Sequence, residues 1–379
     1  MAEKIRVLTI FGTRPEAVKM APLVKELAAH PQIVSKVCVT AQHRQMLDQV
    51  LELFAIVPDY DLDIMQQKQT LTGIAVRVLQ GLEDVLQKEQ PHIVLVHGDT
   101  STTFVASLAA FYQQITVGHV EAGLRTYDKY SPYPEEMNRQ LTGVLADLHF
   151  APTKQAAQHL LQEHKPLESI YITGNTVIDA MATTVLQKYR HPILDGLADG
   201  QRLVFMTAHR RENLGEKLEN ICRAVRRLVE EHDDVVVIYP VHLNPVVQDT
   251  AQTILGNHPR IHLIDPLDVQ DTHNFMARSY LILTDSGGIQ EEAPSLGVPV
   301  LVLRNTTERP EGIAAGTLKL AGTDESDIFE LANTLMNDSE EHRKMAIAAN
   351  PYGDGHASKR IVQAILHHFQ QGQRPEQFQ

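Results

Sequence analysis

Short apolar runs alternate with longer amphipathic segments through the first half of the chain. Segments of helical length, such as 15–29 and 70–89, separate the β-branched apolar runs, which begin at Ile5, Ile33, Pro91, Gln114, Asp147 and Ser169. Strand patterns that alternate with helical patterns in this way indicate parallel βαβ units.

The same alternation starts again after residue 201, with apolar runs that begin at Arg202, Asp234, Arg260, Ser279 and Val298. Segment 189–201 contains a proline and Asp/Gly clusters, so it is the best candidate for a linker. A length of 379 residues also favours two domains. We therefore predict an α/β protein with two Rossmann-like, doubly wound domains that face a central cleft.

Charge and composition argue against several classes of protein. The chain has 34 Lys and Arg against 47 Asp and Glu, a net charge of −13, whereas nucleic-acid binding requires a basic surface. No apolar segment approaches the roughly 18 residues of a membrane span, and the N-terminal apolar run is too short for a signal peptide. Cys38 and Cys222 lie far apart in apolar-periodic segments. We expect a reduced, cytoplasmic protein without nucleic-acid or membrane partners.

Candidate binding residues follow the strand patterns of the second half, where open α/β sheets bind ligands. The run DSGG, Asp285 to Gly288, precedes a helical pattern, and helix N-termini favour anions. A plain serine-capped helix is the alternative. Cationic side chains follow two other strands, namely those of His209, Arg210, Arg211, Arg304 and Arg309. Arginine pairs with phosphate, but a surface capping cluster with Glu212 is a second interpretation.

Carboxylates follow the strands of the first half. Asp99 and Glu121 end two successive strand patterns, and Glu135 and Glu136 begin a helical pattern after Pro134. Asp99 could instead cap the next helix, and Glu135 and Glu136 could simply be acids that suit a first helical turn. Clustered carboxylates that face an anion are costly unless some of them exchange protons.

Neither a metal nor a nicotinamide cofactor is expected. His119 and Glu121 would share one side of a strand, but no third ligand follows at a metal-site spacing. No GxGxxG sequence follows any strand pattern, so the dinucleotide fingerprint is absent.

The stretch FGTRPEAVKMAPL, residues 11–23, links the first strand pattern to a helix. Gly12 permits a tight turn and Pro15 suits the first helical position. Arg14 and Lys19 then lie at the helix mouth and one turn beyond it. We interpret this turn as a loop that can also hold a phosphate.

Motifs spread from about Val7 to Arg360 together resemble those of bacterial non-hydrolysing UDP-N-acetylglucosamine 2-epimerases. They are FGTRPEAVKMAPL, AQHRQMLDQVL, VHGDTSTTF, GHVEAGLRT, PEEMNR, TGNTVID, TAHRREN, YPVHLNP, DSGGIQEEAPSLGVPVLVLR and TTERPEG. The resemblance implies a fold of the glycosyltransferase B type that interconverts UDP-GlcNAc and UDP-ManNAc for cell-envelope polysaccharide. It also implies domains at 1–188 and 189–360, with the helix and tail of 361–379 packing back on the first.

The resemblance assigns roles to the candidate residues. Asp99, Glu121 and Glu135 match the acid/base residues, and His209 is grouped with them although it also matches the UDP site. The residues matched to substrate binding are Arg14, Lys19, Phe275, Ser286, Gly287, Gly288, Glu292 and Arg309. The serine and glycines would contact phosphate, Glu292 the ribose and Phe275 the uracil.

Relatives from Gram-positive bacteria bind a second UDP-GlcNAc as an allosteric activator. The matching residues here are Gln42, Gln45, Lys68, Glu135, Arg210 and His242. Lys68 stands where those relatives have arginine, which keeps the charge but loses the planar guanidinium. The resemblance to the family also implies a homodimer.

Other activities are compatible with parts of the pattern. A UDP-sugar glycosyltransferase shares the fold, a hydrolysing epimerase would release UDP and free ManNAc, and a non-catalytic sensor would bind without turnover. The C2 proton of the sugar is not next to a ketone, so epimerisation needs activation. Without a dinucleotide fingerprint, elimination and re-addition of UDP is favoured over oxidation by NAD.

Overall fold

The computed structural model describes residues 3–41, 44–66 and 69–379, which form two compact α/β units. Unit 1 comprises Met1–Thr183 and Gly353–Gln379, and unit 2 comprises Thr184–Tyr352.

Unit 1 is built on a parallel sheet with the strand order β3-β2-β1-β4-β5-β6-β7. Its strands are β1 Ile5–Phe11, β2 Ile33–Val39, β3 Tyr60–Asp61, β4 Ile93–His97, β5 Thr116–Val120, β6 Leu148–Ala151 and β7 Ile170–Ile172. The helices between them are α1 Arg14–Ala29, α2 Arg44–Leu53, α3 Leu71–Glu89, α4 Ser101–Tyr112, α5 Glu135–Leu145, α6 Lys154–Gln162 and α7 Thr176–Thr184.

Unit 2 has a second parallel sheet with the order β10-β9-β8-β11-β12-β13. Its strands are β8 Arg202–Thr207, β9 Val235–Pro240, β10 Ile261–Ile264, β11 Leu281–Thr284, β12 Val300–Val302 and β13 Leu318–Leu320. Its helices are α8 Pro192–Asp195, α9 Glu216–Glu231, α10 Pro245–Leu255, α11 Val269–Ala277, α12 Gly287–Glu292, α13 Pro310–Ala314, α14 Glu325–Asn337 and α15 Ser339–Ala346.

The predicted class of two Rossmann-like α/β sheets is therefore confirmed. Their strands are buried on both faces, as in β4, where every residue is buried, so they read as continuous apolar runs. In each sheet the strand order reverses at the centre, between β1 and β4 and between β8 and β11. Such a reversal opens a crevice at the carboxyl ends of the strands, where ligands bind.

Segment 189–201, the predicted linker, belongs to unit 2 instead. Helix α7 ends at Thr184, and the backbone N–H of Leu186 already donates to the Asn274 side chain at 2.9 Å. The Tyr189 hydroxyl donates to Asp271, and α8 lies within the segment. These contacts explain why unit 2 begins at Thr184 and not at 189.

The chain returns to unit 1 at Gly353, ahead of residue 361, and ends in helix α16, Ala357–His368. Helix α16 packs on α1. The Asp179 carboxylate of α7 accepts hydrogen bonds from the backbone N–H groups of Ala357 at 3.1 Å and Ser358 at 2.8 Å. A carboxylate at a helix N-terminus satisfies amides that lack partners within the helix.

Replacing Asp179 with alanine should loosen α16, because two amides at its first turn lose their acceptor. We expect a loss of about 1–3 kcal/mol in local stability. Hydrogen–deuterium exchange should then be faster at residues 357–368 in the variant. Asp249→Ala, at an exposed position of α10, is the matched control and should leave those amides unchanged. Equal protection of α16 in both variants would contradict the assignment.

Candidate active site

The candidate residues of unit 1 lie at the carboxyl ends of neighbouring strands. Strand β4 ends at His97, two residues before Asp99, and β5 ends at Val120, directly before Glu121. The loop after β1 leads into α1 at Arg14. Carboxyl ends of parallel strands share one edge of a sheet, so these loops occupy the same edge.

Glu121 is fixed by several contacts and by an unusual backbone conformation. Its carboxylate pairs with the Lys19 ammonium and accepts a hydrogen bond from the Asn175 side chain at 3.1 Å. Its φ of +62° lies in the left-handed region, which is strained for a residue other than glycine. The structure thus brings Lys19 and Glu121 together, a contact that the sequence analysis did not predict.

Asp99 lies beside a cation and within the field of two other carboxylates. Its Oδ2 accepts a hydrogen bond from Arg139 at 2.6 Å, and its backbone carbonyl accepts one from Asn138 at 2.9 Å. Burial raises the pKa of Asp99, the Arg139 guanidinium opposes this rise, and the charges of Glu121 and Glu135 add to it. A carboxyl with a raised pKa can exchange protons closer to neutral pH.

Thr100, and not Asp99, is the N-cap of helix α4. The Thr100 hydroxyl accepts a hydrogen bond from the backbone N–H of Thr103 at 3.1 Å. The structural alternative for Asp99, a helix cap, is therefore wrong.

Glu135 and Glu136 begin helix α5 but have different environments. Glu136 accepts hydrogen bonds from the backbone N–H groups of Thr126 and Tyr127, both at 3.0 Å, so it holds the preceding loop. Glu135 has a buried Oε2 that accepts no hydrogen bond from the described part of the chain. Of these two glutamates, Glu135 is therefore the one whose carboxylate can interact with a ligand.

Glu16 is a buried carboxylate that joins the loops after β1 and β4. Its Oε2 accepts hydrogen bonds from the backbone N–H groups of Gly12 at 3.1 Å and Thr13 at 2.9 Å. Its Oε1 lies 2.9 Å from the Thr100 hydroxyl and 3.2 Å from the Thr103 hydroxyl. Burial raises the pKa of Glu16 and these hydrogen bonds oppose the rise. Glu16 therefore ties the loop that carries Arg14 to the one that carries Asp99.

Arg14 is half-buried at the first position of α1, so Pro15 occupies the second helical position and not the first. Gly12 is required here for space, because a Cβ at this position would lie 2.0 Å from the Thr40 hydroxyl oxygen. At this glycine, where we expected a tight turn, the backbone makes a close approach to Thr40, the residue that follows strand β2.

Three buried histidines lie in adjacent strands beside the carboxylates. Burial lowers the pKa of His97 to about 4 and those of His119 and His149 to about 3, so all three imidazoles are neutral at pH 7. His97 Nε2 lies 3.7 Å from Glu121 Oε2. Within residues 3–41, 44–66 and 69–379, no three His, Cys, Asp or Glu side chains are grouped closely enough to hold a metal ion.

In unit 2, a buried aspartate holds the loop after β8. Asp285 follows β11 and is fully buried, and its Oδ2 accepts hydrogen bonds from the backbone N–H groups of His209 at 2.9 Å and Arg210 at 2.8 Å. The Asn213 side chain donates to the same oxygen at 3.0 Å. This contact places His209 and Arg210 beside the DSGG loop.

Ser286 stands at the N-cap of α12, but its hydroxyl makes no capping hydrogen bond to the described helix. The alternative interpretation of this motif, a helix capped by the serine hydroxyl, is therefore wrong. A Cβ on Gly287 would lie 2.9 Å from the guanidinium carbon of Arg309, so this glycine lets the arginine approach the backbone. Arg309 also pairs with Glu291 and Glu308, both at 2.9 Å.

The residues matched to ribose and uracil differ in accessibility. Glu292 Oε2 lies 3.4 Å from His273 Nε2, and its side chain retains some exposure. Gly288 adjoins it, since a Cβ there would be 3.5 Å from Glu292 Oε1. Phe275 is fully buried and its ring packs against His191, with centroids 4.8 Å apart. The Phe275 ring therefore has no face open to a uracil base in this structure.

The residues matched to an activator site are only partly described. Arg210 is 38% exposed at its side chain, and the imidazole of His242 stacks on that of His209 with centroids 5.5 Å apart. Gln42, Lys68 and the side chain of Gln45 lie outside the described residues.

Sequence reasoning missed Glu16, Asn175 and Arg139 as parts of the site. The pattern Thr13-x-x-Glu16 is a capping-box signal and could have identified Glu16 as a loop holder. Arg139 and Asn175 lie within quoted motifs, but nothing in the sequence specifies their contacts with Asp99 and Glu121.

Comparisons with known proteins identify the family of the chain. Residues 25–366 match the family model described as UDP-N-acetylglucosamine 2-epimerase. The UDP-N-acetylglucosamine 2-epimerase of Bacillus subtilis is 62% identical over 375 residues, covering 99% of this chain and 98% of its own.

Two solved structures are also similar. One is a putative UDP-N-acetylglucosamine 2-epimerase from Listeria monocytogenes, with 60% identity and a TM-score of 0.96 over 99% of this chain and 100% of its own. The other is the UDP-GlcNAc 2-epimerase of Neisseria meningitidis bound to UDP-GlcNAc, with 51% identity and a TM-score of 0.86 over 96% and 100%. This chain belongs to the UDP-N-acetylglucosamine 2-epimerase family.

Proposed function

We propose that the protein is a non-hydrolysing epimerase that interconverts UDP-GlcNAc and UDP-ManNAc by eliminating and re-adding UDP. The observation that carries the proposal is the grouping of Asp99, Glu121 and Glu135 at one sheet edge, with Lys19 on Glu121. The bound ligand of the Neisseria structure, UDP-GlcNAc, supports the choice of substrate.

The chemistry requires more than one acid/base group. A base removes the proton from C2, the bond between C1 and the phosphate oxygen breaks, and UDP leaves a sugar with a C1–C2 double bond. A proton then returns to the opposite face of C2 while the UDP oxygen adds to C1. Because the two faces differ, one group cannot serve both proton transfers, and a set of carboxylates meets this need.

The three acids are suited to these transfers in different ways. Asp99 has a raised pKa, which favours proton exchange near neutral pH. One oxygen of Glu135 accepts no hydrogen bond from residues 3–41, 44–66 and 69–379, and Glu121 is oriented by Lys19 and Asn175. We assign the acid/base chemistry to this trio without assigning a step to each member.

We assign the UDP moiety to unit 2. Ser286, Gly287 and Gly288 would contact phosphate with His209 and Arg309, and Glu292 would contact the ribose. Preorganised cations and amides at a leaving diphosphate stabilise the charge that develops as C1–O breaks. Arg14 and Lys19 of unit 1 would contact the substrate near its diphosphate.

UDP-GlcNAc is also proposed as an allosteric activator, through Gln42, Gln45, Lys68, Glu135, Arg210 and His242. The imidazole of His242, which we assign to the activator site, stacks on that of His209, which we group with the catalytic residues. This contact supports the proposal, because it links the two sites physically. We propose a cytoplasmic enzyme that supplies ManNAc for cell-envelope polysaccharide, consistent with the buried, free thiols of Cys38 and Cys222.

A homodimer is proposed from the surface of unit 1. Four large apolar side chains are exposed on two helices that pack together, Phe111 and Tyr112 of α4 and Leu141 and Val144 of α5. The rings of Phe111 and Tyr112 lie with their centroids 6.3 Å apart, and adjacent exposed apolar groups are typical of a surface that associates with another protein.

Incubation with UDP-GlcNAc in deuterated water should place deuterium at C2, because the proton that returns comes from solvent-exchanged acids. Asp99→Asn should reduce this exchange by at least about 100-fold, the size of an acid/base contribution, while UDP still binds. Mass spectrometry and proton NMR of the nucleotide sugar measure both. Asp84→Asn, an exposed position of α3, is the matched control.

Different products would identify the competing activities. Free ManNAc with stoichiometric UDP would indicate a hydrolysing epimerase, and sugar transfer to an added acceptor without exchange at C2 would indicate a glycosyltransferase. UDP binding without deuterium exchange at C2 and without sugar transfer would indicate a non-catalytic sensor. Full exchange in Asp99→Asn would remove Asp99 from the mechanism.

Glu16→Gln should lower the rate constant kcat more than it raises KM. The carbonyl oxygen of glutamine can accept from the two backbone N–H groups, but its amide nitrogen must then donate to the two threonine hydroxyls. These hydrogen bonds are reversed and lose the carboxylate charge, so the loops that carry Arg14 and Asp99 are held less firmly. Small displacements of catalytic groups cost on the order of 100-fold in rate. Steady-state kinetics test this, with Glu26→Gln on the same helix as control. A variant with unchanged kcat and unchanged thermal stability would contradict the role given to Glu16.

A further inference from the structure

One oxygen of the buried Asp285 carboxylate has no hydrogen-bond donor among the residues that the structure describes. Oδ2 accepts three hydrogen bonds, whereas Oδ1 accepts none. Buried polar atoms are nearly always paired, so an unpaired oxygen of a charged group requires an explanation.

Oδ1 lies 3.6 Å from Nδ1 of His209, which is the first titratable side chain after β8. The Asp285 side chain is 0% exposed, and that of His209 is 41% exposed. A small rotation of the imidazole would bring Nδ1–H into hydrogen-bond range of Oδ1. One aspartate would then hold both the backbone and the ring of His209.

Three charged or titratable groups act on the His209 ring. Burial lowers the pKa of His209, the Asp285 carboxylate raises it, and His242 and Arg210 lower it further. Asp285 is therefore the group in this set that favours the protonated ring.

We propose that Asp285 is a positioning residue that orients His209 with Nδ1–H toward Oδ1, so that protonated Nε2 donates a hydrogen bond to the diphosphate of bound UDP. This inference rests on the proposed function, which gives His209 to the UDP site. A hydrogen bond from an ionised donor to phosphate is stronger than one between neutral groups. Asp285 thereby adds to the stabilisation of the leaving diphosphate without touching it.

The Asp285→Asn variant distinguishes the two roles of the carboxylate, which are to accept from the backbone and to accept from the His209 ring. Its carbonyl oxygen can still accept from the backbone of His209 and Arg210, while its amide nitrogen would face Nδ1 and donate to it. The His209 ring would then be neutral with its proton on Nε2. In the serine-protease triad, the corresponding change of aspartate to asparagine preserves the geometry but leaves the histidine in the wrong tautomer, and activity falls steeply.

The test is a double-mutant cycle on UDP affinity, with Asp285→Asn, His209→Gln and the double variant measured by calorimetry near pH 6.5. Asp285→Asn should weaken UDP binding about tenfold, the scale of a charge-assisted hydrogen bond. In the His209→Gln background the same change should have no further effect. Asp327→Asn, an exposed position of α14, is the matched control.

An equal loss of affinity in both backgrounds would overturn the proposal, because Asp285 would then act only on the backbone. If Asp285→Asn does not fold, nitrogen NMR of the unmodified enzyme with UDP decides, since it reports whether both ring nitrogens of His209 are protonated. A neutral ring with unprotonated Nδ1 would overturn the proposal. UDP binding needs no turnover, so this test is independent of the proposed reaction. If the double-mutant cycle shows coupling but the enzyme has no epimerase activity, the proposed reaction is rejected and the Asp285–His209 interaction still holds.

Discussion

A buried carboxylate requires hydrogen-bond donors, and in both units these donors come from the loop that follows the first strand. Glu16 accepts from the backbone of Gly12 and Thr13 after β1, and Asp285 accepts from the backbone of His209 and Arg210 after β8. Each carboxylate also joins two loops at the centre of its sheet, where the strand order reverses. Internal carboxylates thus help to hold the loops at the carboxyl ends of both sheets.

This constraint bears on how an acidic protein could hold the anionic substrate that we propose. The net charge is −13, but several acids at the sites are committed to backbone amides or to cations. Glu136 and Asp285 bind backbone N–H groups, and Asp99 pairs with Arg139. The charges of these acids are locally compensated, so they oppose an anionic ligand less than the net charge suggests.

The fold followed from the sequence because parallel strands are buried on both faces and read as continuous apolar runs. Burial of individual side chains did not follow. An acid in the first helical turn, such as Glu16, looks like a surface residue, and neighbouring acids such as Glu135 and Glu136 cannot be told apart. The sequence analysis predicted that Phe275 contacts the uracil base, but tertiary packing buries its ring. Motif spacing located the loops, but only the structure gave the partners that separate a ligand-facing group from a structural one.

The central claim is that the bond between C1 of the sugar and the phosphate oxygen breaks during epimerisation. UDP-GlcNAc with a heavy oxygen isotope in that bridging position tests it directly, with phosphorus NMR of the recovered nucleotide sugar. If UDP leaves and returns, rotation of the β-phosphate between the two steps moves the label into non-bridging positions at a rate comparable to epimerisation. A label that stays in the bridge while C2 inverts would contradict elimination and re-addition of UDP.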